Sequence, residues 1–134
     1  MPHSTVRWIG GKQFIGVDSA QHSVVVSTAE ENVGMSPSDL LLVALASCTA
    51  VDVVEILQKK RQSLTSLEIQ VDGEQDAKNP WPFRKIHLMY RLKGSNLDPK
   101  SVDDAIRIAE EKYCTVAATI RGVAEISYSF EILE

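Results

Sequence analysis

Ser36-Pro37-Ser38-Asp39-Leu40-Leu41-Leu42-Val43-Ala44-Leu45-Ala46-Ser47-Cys48 is the stretch on which the fold of this chain turns. It opens in the preferred order for a helix. Ser36 stands at the N-cap, Pro37 takes the first helical position where no amide hydrogen is needed, and Asp39 follows three residues after the cap, where it can complete a capping box. The helix is expected to run to about Arg61 or Gln62, with Lys59, Lys60 and Arg61 at the negative end of its dipole. From Leu40 to Leu57 it is apolar almost all the way round. Such a helix must be enclosed by a sheet on one side and by something else on the other. A single small domain has difficulty wrapping it completely, so a second copy of the chain is expected to cover the rest, as a homodimer.

Before this helix the chain is β-like. Thr5 to Ile9 and Gln13 to Val17 flank a Gly10-Gly11 turn, and Ser23 to Thr28 adds a β-branched run, which predicts three antiparallel strands. After it, Leu67 to Val71 and Lys85 to Leu92 read as strands of a long hairpin, separated by the turn-rich Asp76-Ala77-Lys78-Asn79-Pro80-Trp81-Pro82. Asp98-Pro99 starts a helix through Lys112, and a short helix runs from Cys114 to Arg121. Gly122 stops it, and Ala124 to Leu133 alternates as the last strand. The order βββ-α-ββ-αα-β makes the fold class α+β, with the whole of residues 1–134 expected to form one domain.

The bulk numbers exclude several functions. With 134 residues, 44% of them hydrophobic, and a net charge of −4, the chain can bury a core but offers no basic face for phosphate backbones, so no nucleic acid is expected as a partner. Residues 1–10 lack the apolar region of a signal peptide, and the run Leu40 to Val51 is short for a membrane span and flanked by Asp39 and Asp52; a cytoplasmic protein with no membrane partner is expected. His3, His22 and His87 have no ligand spacing and no cysteine pair is arranged for zinc, so no metal or other cofactor is assigned. Glycine-rich phosphate loops and a nucleophile-elbow serine are absent from the sequence. Trp81-Pro82-Phe83 reads either as an apolar lid or as aromatics packed on the sheet.

The chemistry rests on two cysteines, Cys48 and Cys114. A reducing cytosol does not sustain a permanent disulfide, so they are either small core hydrophobes or a transient redox pair. Two thiols that meet in the fold can take two electrons from an oxidant reversibly. On the helical repeat Leu41, Leu45, Cys48, Asp52 and Glu55 share a stripe, which puts carboxylates one and two turns from the first thiol, so its activation calls for a cation from elsewhere. Cys114 lies at the N-terminal edge of the short helix, where unsatisfied amides are expected to favour a thiolate.

The first cysteine segment, together with Ala109-Glu110-Glu111-Lys112-Tyr113-Cys114, resembles the paired motifs of the OsmC/Ohr family, the osmotically induced and organic hydroperoxide resistance proteins. The likeness extends over nearly the whole chain and is greatest to the YhfA-like branch, through Ala50-Val51-Asp52-Val53-Val54-Glu55-Ile56-Leu57-Gln58-Lys59. It implies an intertwined α+β homodimer and a thiol peroxidase. In that chemistry Cys48 attacks a small-molecule hydroperoxide, Cys114 resolves the sulfenic acid as a disulfide, and a dithiol reductant restores both thiols. The chain departs from the peroxidases at three places: Gly11 to Gly16 carries no arginine, leaving Lys12 or Arg7 as substitutes; Ser38 replaces the family glutamate, with the acid shifted to Asp39; and Thr115 follows the second cysteine where proline is usual. Lysine cannot form arginine's bidentate clamp, so weaker thiolate activation is implied. The alternative is a non-enzymatic dimer of the same fold that acts as a redox sensor or binds a small apolar ligand.

Overall fold

The computed structural model describes residues 2–133. Its backbone contacts divide into two compact units, one up to Leu41 and one from Leu42 onward.

In the first unit, strands β1 (Ser4–Gly10), β2 (Gln13–Asp18) and β3 (Ser23–Ser27) form an antiparallel sheet in that order. The β1–β2 turn is tight because Gly10 and Gly11 take φ of +117° and +51°, which residues with a Cβ rarely adopt. Gly11 is also the acceptor for the Trp8 indole, at 2.8 Å. Val6, Trp8 and Ile9 on β1 are left exposed. Ser36 then caps helix α1 (Pro37–Lys59) as its sequence predicts: its hydroxyl accepts from the Asp39 amide at 3.3 Å and donates to the Asp39 carboxylate at 3.0 Å. The reciprocal bond thus runs between the two side chains, where a full capping box would use the cap residue's amide.

The second unit is built on a three-stranded sheet ordered β4-β5-β6, from β4 (Ser63–Gln75), β5 (Phe83–Ser95) and β6 (Glu125–Ile132). β4 and β5 form the long antiparallel hairpin that the sequence predicts, and β6 pairs parallel to β5. A parallel neighbour needs a crossover, supplied here by α2 (Pro99–Ile108), a π-helical turn (Ala109–Tyr113) and α3 (Thr115–Ile120). The strands of the hairpin extend past their predicted ends, and the predicted helix through Lys112 is in fact α2 followed by the wider turn.

The core of this unit joins Leu45, Val53 and Leu57 of α1 to Ile86, Leu88, Tyr90 and Leu92 of β5 and to Val102, Ala105 and Ile106 of α2, all fully or almost fully buried. β5 alternates strictly, because it is the central strand with one face on the helices. Within one chain α1 buries a single stripe, Leu45, Thr49, Val53 and Leu57, while Val43 and Val51 remain 45% and 62% exposed. At 23 residues the helix is, by length and composition, able to cross a membrane, contrary to the expectation from Leu40 to Val51 alone, and 22% of its most apolar window is buried in the chain.

Gly94 sits where the hairpin backbone is crowded: a Cβ there would collide with the Ser63 carbonyl oxygen and lie 3.0 Å from a Leu97 methyl. Because the first obstacle is backbone, Gly94→Ala is expected to destabilise the protein by about 2–3 kcal/mol. Urea unfolding measures it, and a midpoint unchanged from wild type would show that β4 can slide aside.

Candidate functional site

The structure brings the two cysteines together within the second unit. Cys48 is half-buried on α1, at the margin of the buried stripe, and Cys114 is 3% exposed at the junction of the π-turn and α3. Both are free thiols, and Cys48 lies near enough to Cys114 to act on its electrostatics. The junction is built by the wide turn: the Cys114 amide donates to the Ala109 carbonyl at 2.9 Å, five residues back, which closes the π-turn. Cys114 then leaves helical geometry, with φ −79° and ψ 106°, and its sulfur caps α3 by accepting from the Ala117 amide at 3.2 Å.

This corrects the expectation of a thiolate at Cys114. Burial is the largest influence, the neighbouring Cys48 thiol adds to it, and the Ala117 amide opposes both; the net result pushes the thiol up to about 11. α3 is six residues long, so little dipole stands behind the Ala117 and Val116 amides that oppose the shift. Cys114 is therefore a protonated thiol at neutral pH. It is reached through a shallow cavity of about 400 Å³ lined by Glu111, Lys112, Tyr113, Thr115, Ala118 and Thr119.

Asp52 and Glu55, expected on the Cys48 stripe, line a second cavity of about 450 Å³ together with Lys59, Lys60 and Tyr113. Lys59 at the end of α1 and Lys60 just beyond it give these acids cationic neighbours. Trp81 is 52% exposed while Phe83 packs on the core, its ring lying against Gly73, so the aromatic pair divides between the two readings. His87 sits between the Ser127 and Ser129 hydroxyls at 2.7 and 2.8 Å, and His22 bonds Asp18 at 3.0 Å. In the first unit, an apolar groove of about 580 Å³ is lined by Val6, Phe14, Val17, Val24, Val26 and Leu40 among others.

Sequence reasoning missed a buried polar cluster beside the thiols. The Tyr90 hydroxyl, on a fully buried side chain of β5, donates to the Glu110 carboxylate at 2.8 Å, and Glu110 itself is 6% exposed. Thr49, the residue after Cys48, lies near the same hydroxyl, and its own hydroxyl donates to the Ala46 carbonyl at 3.0 Å. Arg121 donates to the main-chain carbonyl of Glu110 at 2.7 Å. Burial, followed by the Glu110 charge, raises the Tyr90 phenol far above its ordinary range. Burial likewise raises the Glu110 carboxyl, against the Tyr90 hydrogen bond and the Arg121 charge. The signal was present in the sequence: Val102, Ile106 and Glu110 fall at i, i+4 and i+8, which continues the apolar stripe of α2 into an acid.

That burial makes a stability prediction. Because the folded-state pKa of Glu110 lies above its unfolded value, the folded state holds the proton more tightly, and stability falls as pH rises from the unfolded pKa through the folded one. Glu110→Gln should therefore flatten the pH dependence above about pH 4.3 and leave the protein more stable than wild type at neutral pH. Thermal unfolding across that range tests it; a variant that tracks the wild-type curve would mean that the carboxyl is not desolvated.

Comparison with known proteins gives a consistent picture. Residues 28–129 match the family model described as OsmC-like protein. Protein YhfA of Escherichia coli strain K12 is 31% identical over 128 residues, 96% of each chain. Among solved structures, an OsmC-like protein from Mycoplasma pneumoniae superposes with a TM-score of 0.87 at 16% identity, covering 100% of this chain and 98% of that one. The organic hydroperoxide resistance protein OhrB of Bacillus subtilis superposes at 0.65 with 17% identity, covering 98% of each. The mixed α+β architecture, the strand and helix order and the family match agree, and the chain belongs to the OsmC-like family.

Proposed function

We propose that this protein is a thiol-dependent peroxidase that reduces organic or other hydroperoxides through Cys48 and Cys114, in the cytoplasm and as part of a peroxide-stress response. The observation that carries the reading is the meeting of the chain's two cysteines, both as free thiols, from elements far apart in sequence. The Cys48 thiolate attacks the peroxide O–O bond, taking one oxygen as sulfenic acid and releasing an alkoxide that becomes an alcohol. Cys114 then attacks the Cys48 sulfur, the S–O bond breaks, and a disulfide and water form. A dithiol reductant exchanges with the disulfide and returns both thiols. Cys48, the more accessible of the two, suits the attacking role, and the buried, protonated Cys114 suits the resolving one. No metal or organic cofactor enters these steps.

Proteins of this family are soluble, so the apolar residues that α1 leaves exposed, Val43 and Val51 among them, call for cover by protein. A second copy of the chain is the proposed cover, giving a homodimer in which all of residues 1–134 act as one domain per subunit.

A second reading, a redox sensor without turnover, is favoured by the dual use of the Cys114 sulfur: a disulfide would draw the α3 cap into a covalent bond and so couple oxidation to local structure. One experiment separates the two. Reduced protein is treated with stoichiometric cumene hydroperoxide, its cysteines are mapped by mass spectrometry, and turnover is followed with a dithiol. A Cys48–Cys114 disulfide with continuous turnover supports the peroxidase; the disulfide with negligible turnover supports the sensor; unreacted thiols overturn both.

A further inference from the structure

A disulfide between Cys48 and Cys114 offers two sulfurs to a reductant, and the structure makes them unequal. The cavity of about 400 Å³ beside the second thiol is lined wholly by residues of the π-turn and α3, Cys114 among them. No residue of α1, and so not Cys48, contributes to its wall. We propose that the dithiol reductant enters through this cavity and attacks the Cys114 sulfur, with Cys48 as the thiolate that leaves. The inference rests on the disulfide proposed above and assigns its reduction an entrance and a direction.

Geometry supports the direction at three points. Thiol–disulfide exchange is an in-line displacement, in which the entering and leaving sulfurs stand on opposite sides of the sulfur attacked. A thiolate in the cavity meets Cys114 on the wall, while Cys48 belongs to a helix outside that wall. The target sulfur is also held in place. The Ala117 amide donates to it at 3.2 Å, and the Cys114 amide is tied to the Ala109 carbonyl at 2.9 Å. In the first of these bonds the sulfur is the acceptor, so the contact needs no thiol hydrogen. Finally, the way in is open, because Tyr113, Thr115, Ala118 and Thr119 around the cavity are all exposed.

The order of bond breaking points the same way. Burial pushes the Cys114 thiol up to about 11, which makes its thiolate a poor leaving group. Attack at Cys48 would have to expel it in the bimolecular step. Attack at Cys114 defers that expulsion to ring closure of the dithiol, which is intramolecular and needs no further encounter. In the first step the reductant's thiolate bonds to the Cys114 sulfur, the Cys48–Cys114 bond breaks, and its electron pair stays on Cys48. In the second, the reductant's other thiolate attacks its own bonded sulfur, closes the reductant's disulfide and releases Cys114, which takes up a proton. The sum is one protein disulfide plus one dithiol giving two protein thiols plus one reductant disulfide.

The test begins from the wild-type disulfide, made with one equivalent of cumene hydroperoxide or, independently of peroxide, with diamide. It is mixed with the monothiol 2-mercaptoethanol, quenched in acid at early times, and digested with pepsin at low pH so that the adduct cannot migrate. Mass mapping should find the adduct on Cys114 in at least about tenfold excess over Cys48 at the earliest times. Equal labelling, or an adduct mainly on Cys48, would overturn the proposal. A second arm obstructs the cavity. Ala118→Trp and Thr119→Trp each place an indole there from an exposed position on α3. In each variant confirmed as folded by circular dichroism, reduction by dithiothreitol should slow at least about tenfold more than disulfide formation does. Reduction at the wild-type rate in the folded variants would remove the entrance. If peroxide leaves the wild-type thiols untouched, the peroxidase reading fails, and the diamide-made disulfide still decides which sulfur is attacked. Failure of diamide to close the bond would overturn both.

Discussion

Replacing Cys48 by serine should remove dithiol-dependent hydroperoxide consumption by at least about a thousandfold, because the attacking atom itself is lost. Cys114→Ser should behave differently. Its Cys48 can still attack, so the first equivalent of hydroperoxide is consumed, but no sulfur is left within reach to condense with the sulfenic acid. The sulfenic acid then persists to trapping reagents, and excess peroxide carries it to the sulfinic acid, seen as a gain of two oxygens by mass. Dithiol-coupled turnover should fall steeply in this variant too, though less completely where the reductant attacks the sulfenic acid directly. Peroxide assays with mass analysis of both proteins decide the matter. A Cys48→Ser protein with wild-type turnover would dismiss the assignment of the attacking thiol.

Leu88→Ala should be the most damaging of the conservative core changes. Leu88 is fully buried on the central strand, with core residues of the helices on one side and strands paired along both edges, so the space vacated cannot collapse easily. Truncations of this kind cost about 2–5 kcal/mol. For a domain of this size that corresponds to a fall in melting temperature of about 10 °C or more. Differential scanning calorimetry gives the value, and a loss under about 1 kcal/mol would indicate a core that repacks. Val51→Ala on the exposed face of α1 provides the contrast: in an isolated chain it is a surface change, within about 0.5 kcal/mol. A larger, concentration-dependent loss would show that another subunit covers it.

Much of the fold was legible because particular residues leave few choices. Ser36-Pro37 fixed the start of α1, Gly10-Gly11 fixed the first turn, and Gly122 marked the end of the crossover. The ends of the long hairpin were not legible. Ser63, Thr65 and Ser66 at one end and Gly73 to Gln75 at the other break the apolar alternation, yet the pairing with β5 resumes beyond a register shift at each end because the partner strand is there to bond. The two cysteines stood out by type alone. Their chemical states did not, since burial, the largest influence on Cys114, is a property of packing. Tyr90, an alternating residue of a predicted strand, gave no sign of its hydroxyl's destination, which depends on a helix twenty residues onward.

The five-residue turn from Ala109 to Tyr113 carries a consequence of length. An ordinary α-helical turn would accommodate one residue fewer over the same span. Each residue advances a helix by about 100°. Shortening this segment by a single position would thus let regular helix cover the same span, so the sulfur at its end would keep its bearing toward α1 while the wide ring closed by the Cys114–Ala109 bond is lost. In related chains a one-residue deletion there should be read as a change in the backbone around the second thiol that leaves the pair facing.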